Sequence, residues 1–146
     1  MGCVITNNMP SHIIIHVYTD GACRGNPGRS AIGIVFLDSK QNLIAEYKEC
    51  IGNQTNNEAE YAAIIKALEL ATAYCRRHLS VFSDSELVIN HINGRYALKA
   101  DNLRPLFYLV KDRERAFEKV IYNNCPRDHK HAKHADRLAN EALDDK

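Results

Sequence analysis

The spacing of hydrophobic positions changes several times along this chain, and each change predicts an element. Ile13, Ile14, Ile15 and Val17 form a β-branched run that reads as a buried strand over 13–19, and Ile32 to Leu37 repeats the pattern in a strand over 30–37. The polar stretch Asp38-Ser39-Lys40-Gln41-Asn42 reads as a turn into a third strand over 43–51. Connections this short predict an antiparallel meander. From Glu58 to Arg77 the period becomes helical: Ala59, Ala62, Ala63, Ala67, Leu70, Ala71 and Tyr74 recur at three and four. Alanine dominates this helix, so it is expected to lie close against the sheet. Thr55 and Glu58 have the spacing of a capping box at its start, and Arg76, Arg77 and His78 would complement the dipole at its end.

The second half continues with a strand over 79–82 and a helix over 85–92 closed by Asn93-Gly94. A loop is expected from Arg95 to Asn102. A helix over 103–117 follows, with Leu103, Leu106, Phe107, Val110 and Phe117 facing inward, and Lys111 to Arg115 alternate in sign as a solvated face does. A fifth strand over 119–125 and a last helix over 133–144, with Ala135, Leu138, Ala139, Ala142 and Leu143 as its stripe, complete the pattern. The order predicts a single α/β domain over 13–146, a mixed sheet with helices on its faces, preceded by a loose N-terminal tail over 1–12.

Composition narrows the setting. The 146 residues can bury a core unaided, and a net charge of +1 gives no global field toward polyanions, so nucleic-acid affinity would have to come from local charge. Five cysteines at irregular positions point to a reducing compartment, and no apolar run approaches a membrane span, so the cytoplasm is the expected location. Met1-Gly2 with Thr6 and Asn53-Gln54-Thr55 match short acylation and glycosylation patterns, too short to carry weight in that setting.

Candidate chemistry centres on the stretch from Tyr18 to Gly28. Asp20 is expected where the first strand stops and a loop begins, and three glycines with Pro27 in eight residues let a foreign backbone approach closely. Further acidic residues stand early in the long helix, after the fourth strand at Asp84, and in the last helix at Asp136. Two carboxylates about 4 Å apart repel by about 4 kcal/mol at an effective dielectric near 20, so a convergent set requires cations. Hard divalent ions with oxygen ligands supply them.

The segments Thr19 to Gly28, Thr55 to Ala63, Ser83-Asp84-Ser85 and Ala135 to Asn140, taken in order, resemble the motifs of type 1 ribonuclease H over about 13–143. The resemblance implies a ribonuclease H-like fold, with a five-stranded mixed sheet of three antiparallel then two parallel strands and helices on both faces. It implies two Mg²⁺ ions, with Mn²⁺ as a substitute, held by Asp20, Glu60, Asp84 and Asp136. The substrate it implies is an RNA–DNA hybrid whose RNA strand is hydrolysed to 5′-phosphate and 3′-hydroxyl ends, with no obligate protein partner, no membrane and a monomeric enzyme. In the family the catalytic glutamate lies five residues after the threonine, which implies Glu60, whereas Glu58 has the capping role. By the same likeness, Gly21, Cys23, Asn26, Asn56 and Asn57 touch the minor groove and Thr55 lies near a DNA phosphate. Arg24, Arg29, Lys99 and Arg127 would carry a salt-dependent affinity, since the chain has no Trp and lacks the basic insertion of some members.

Relatives of this kind keep a mobile histidine before the last aspartate. In Cys125 to Asp136, His129 is the first candidate for that role and Arg127 the second. A zinc site from Cys125 and the three histidines matches no standard ligand spacing. A hybrid-binding module without catalysis and a related two-metal nuclease are the competing readings.

Overall fold

The structure, a computed structural model, describes residues 12–97 and 100–145. The expected tail lies outside the described residues except for His12, and so does Lys99. Five strands, β1 (His12–Gly25), β2 (Gly28–Asp38), β3 (Leu43–Gln54), β4 (Cys75–Ser83) and β5 (Lys119–Asn124), form one sheet in the order β3-β2-β1-β4-β5. β1, β2 and β3 pair antiparallel, while β4 joins β1 and β5 joins β4 in parallel. The helices are α1 (Asn56–Ala71), α2 (Glu86–Ile92), α3 (Arg104–Glu114) and α4 (Lys130–Asp144).

The two faces differ in thickness. Tyr61, Ile64 and Leu68 of α1, Ile89 and Ile92 of α2 and Val110 of α3 share a large core with Ile15, Val17, Ile32, Ile34 and Phe36 of the strands. On the other face α4 is the one helix among the described residues, packing through Ala135 and Leu138 against Tyr18, Val35 and Leu37, and through Ala142 and Leu143 near Ala31. No helix among the described residues is long and apolar enough to cross a membrane.

Four boundaries differ from those expected. The long helix ends at Ala71, with Thr72 as its C-cap, and Arg76, Arg77 and His78 belong to β4. Cys75 must already lie beside His12 for the parallel pairing to start, so the chain leaves the helix early. Tyr74 prolongs the helical spacing only because it packs on Phe36 after the turn. β1 does not stop at Asp20: its ladder with β2 runs on to Gly25 opposite Gly28, whereas its ladder with β4 ends at Thr19 opposite Ser83. α3 closes at Glu114, and Phe117 is buried from the turn that follows. α4 begins a turn early because His129 caps it, its Nδ1 accepting from the His131 N–H at 3.2 Å.

Candidate active site

The groove forms where β1 and β4 part. Past Thr19 and Ser83 the parallel ladder ends, which leaves Asp20 on β1 and Asp84 just beyond β4 side by side in the crevice typical of open α/β sheets. Ser85 caps α2, its Oγ accepting from Val88 N–H at 3.4 Å, so the chain turns sharply after Asp84. Glu60 comes from the first turns of α1, whose start is fixed by the expected capping box. Glu58 N–H donates to Thr55 Oγ1 at 3.2 Å and Thr55 N–H donates to Glu58 Oε1 at 2.8 Å. Glu58 is thus occupied by the cap and by the Asn102 amide at 3.1 Å, while Glu60 turns to the groove.

Two glycines set the depth of the site. A Cβ on Gly21 would stand 2.7 Å from Glu60 N, so only hydrogen there lets α1 come this close to β1. That approach also lets Gly21 N–H donate to Glu60 Oε1 at 3.2 Å. On the opposite face a Cβ on Gly33 would stand 2.7 Å from Ala139 N, so Gly33 does for α4 what Gly21 does for α1.

Asp20, Glu60 and Asp84 each place a carboxylate oxygen within 4.8 Å of the others. At that separation each ionised pair repels by about 3.5 kcal/mol at an effective dielectric near 20. Asp20 is only 6% exposed, and burial first, then the charge of Glu60, pushes its carboxyl far above the usual carboxylate range. Glu60 is raised as well, by burial and then by Asp84, with partial relief from Gly21 N–H and Arg127. Such a set is unstable as free anions and fits a hard divalent cation, whose charge removes both penalties.

Asp136 lines the same groove, of about 480 Å³, from α4. It is exposed, close enough to raise Asp20, and held by Asn140, whose amide donates to its carboxylate at 3.2 Å. Gly21, Cys23, Asn56 and Asn57 line the groove. Asn26 does so indirectly, since its Oδ1 accepts from Asn56 N–H at 2.9 Å and ties the β1–β2 hairpin tip to α1. Thr55 is a cap outside the lining, and Arg24 reaches across to Asp144 at 2.9 Å.

Of the two basic candidates, the structure brings Arg127 to the carboxylates, its Nε donating to Asp84 Oδ2 at 3.3 Å. It does not bring His129 there. His129 stacks on Tyr18 with centroids 5.1 Å apart, and Tyr18 stacks in turn on Phe82 at 4.5 Å. Asn140 and Ser85 also line the groove and were not singled out from sequence. The signal for Asn140 was its place one helical turn after Asp136.

A crevice at a strand parting, lined by clustered carboxylates, fits a divalent cation of the kind used in phosphodiester hydrolysis. A family model described as reverse transcriptase-like matches residues 18–142. The ribonuclease HI of Halobacterium salinarum is 37% identical over 131 residues, 90% of this chain and 65% of that protein, and its crystal structure superposes with a TM-score of 0.86. That structural match covers 91% of this chain and 99% of the other. A ribonuclease H of Clostridium botulinum is 32% identical over 88% of this chain and 95% of its own length. The crystal structure of LC11-RNase H1 in complex with RNA/DNA hybrid matches at 36% identity and a TM-score of 0.82, over 90% of this chain and 97% of that one. The chain belongs to the type 1 ribonuclease H family. It spans about two thirds of the halobacterial protein and 35% of the mycobacterial bifunctional relative.

Proposed function

We propose that residues 13–146 form one catalytic domain that hydrolyses the RNA strand of RNA–DNA hybrids, giving 5′-phosphate and 3′-hydroxyl ends. The observation that carries this reading is the convergence of Asp20, Glu60 and Asp84 within 4.8 Å at a groove open to a large ligand. Two Mg²⁺ ions, for which Mn²⁺ substitutes, would be held by these three and Asp136, activating a water and neutralising the departing 3′ oxygen.

The chain's own residues do the rest. Gly21 N–H holds the Glu60 carboxylate in one orientation. Arg127, 90% exposed and in contact with Asp84, is placed to meet a phosphate entering the groove, so it is the better candidate for the mobile basic role. His129 acts on the site through α4, which it caps. Cys23, Asn56 and Asn57 line the groove with polar groups that could contact a 2′-hydroxyl, the group that distinguishes RNA from DNA. The four described cysteines are all free; a reducing cytoplasm and a monomer without obligate protein partner complete the proposed reading.

The test incubates the protein with labelled hybrid, duplex RNA and duplex DNA, each with Mg²⁺, Mn²⁺ or chelator. Cutting of the hybrid's RNA strand alone, abolished by chelator, is the expected result. Binding without cutting under every condition would instead make it a hybrid-binding module.

A further inference from the structure

We propose that the exposed face of α4 formed by Lys130, Lys133 and Arg137 is a second backbone contact, taking the phosphates of the hybrid's RNA strand next to the cut. The proposal rests on the hybrid-cleavage reading above and adds to it the surface that holds the substrate beyond the groove.

At about 100° per residue, Lys133, Arg137 and Lys130 lie about 60°, 100° and 120° around the helix from Asp136. They therefore continue the surface that Asp136 presents to the groove. These side chains, with His131 and His134, line a shallow hollow of about 650 Å³ that shares Asp136 with the carboxylate groove. Arg137 is tethered by Glu141 at 3.4 Å, and His134 meets Glu46. Lys130 and Lys133 are exposed and have no ion-pair partner among the described residues. The hollow thus presents two free ammonium groups and one guanidinium against a single carboxylate of its own, Asp136, which the proposed cations neutralise.

Helix stability does not account for this placement. Cations near a helix N-terminus oppose its dipole, yet the first turn of α4 carries Lys130 and no acidic residue, while Glu141 and Asp144 stand toward its C-terminal end. Where a local rule is broken without compensation, a functional surface is the expected reason. A polyanion supplies it. Lys130 is six residues from Asp136, about 9 Å along the helix axis, within reach of phosphates next to one bound at Asp136. The phosphates nearest a scissile bond held at Asp136 are its neighbours on the strand being cut, so that strand is the occupant proposed. The chain's net charge of +1 leaves such local placement as the source of backbone affinity.

The experiment compares K130Q/K133Q with R115Q/K119Q, which removes the same charge where α3 leads into the start of β5, at the other end of the sheet. Hybrid binding is measured across about 50 to 200 mM salt in a D20N background that leaves the RNA uncut. K130Q/K133Q should make the slope of log affinity against log salt shallower by about 1.4 to 1.8, the share of two phosphate contacts, while the control pair leaves it unchanged. Its melting temperature should be no lower than that of the parent, since the removed charges oppose the dipole. An unchanged slope, or equal changes in both pairs, overturns the proposal. Cleavage by the wild-type protein is scored separately: if it leaves the hybrid whole with Mg²⁺ and Mn²⁺, the underlying function fails whatever the slopes show.

Discussion

Glu60 and Asp136 approach Asp20 from opposite faces of the sheet, and the two approaches are built differently. Glu60 rides on α1, which is locked by a capping box, a backbone hydrogen bond from Gly21 and a core shared with α2 and α3. Asp136 rides on α4, which is anchored to the sheet at Gly33 and through Lys48 to Glu141, is capped by a histidine and leaves its aspartate exposed. Three carboxylates are thus crowded within 4.8 Å, and the fourth stands exposed in the groove lining. The site combines a buried half, where charge is compressed, with an exposed half carried by α4.

Glu60→Gln should break the buried half. Removing a carboxylate proposed to hold the cations should forfeit several kcal/mol of transition-state stabilisation, on the order of a thousandfold in cleavage rate. The same variant should stabilise the metal-free protein. A carboxyl raised by folding keeps its proton longer in the folded state, so its cost grows as pH rises from the ordinary carboxylate range through its raised one. Melting scans with chelator should show the gain of the variant increasing with pH; a constant difference would contradict the crowding.

Asp136→Asn tests the exposed half and should cost less than Glu60→Gln, because water can replace an exposed oxygen ligand. A loss equal to that of Glu60→Gln would remove the contrast. Gly33→Ala should push α4 away from β2 and cost about 2 kcal/mol, read from urea midpoints. His129→Ala removes the cap of α4 and should cost about 1 kcal/mol with a modest rate loss, more than His131→Ala or His134→Ala. Glu58→Gln should have the smallest effect, below about 1 kcal/mol, with cleavage intact. Its carboxylate is lowered first by the Thr55 N–H and then by Asn102, so the difference from wild type should fade as pH falls through that lowered range.

The buried half is also the legible half. The Thr55–Glu58 box and the run from Thr19 to Gly28 are local in sequence, so spacing and turn chemistry assign Glu58 to the cap and predict the meander, while the choice of Glu60 rests on the family's register. The exposed half depends on distance. Whether Arg127 or His129 meets the carboxylates is decided by how the segment after β5 crosses the groove, and His129 gives no helix-start signal that would have revealed its cap. The early end of α1 was hidden likewise, because Tyr74 keeps helical spacing for a reason that exists only once Phe36 is beside it.

The missing side chain at position 21 has a use beyond this chain. Substituting a carboxylate announces its own loss, whereas a methyl group at Gly21 would spread the ligands while leaving every acidic letter unchanged. For duplicated or decaying copies of the domain, that glycine is therefore a sentinel of retired chemistry that inspection of the four acids would miss.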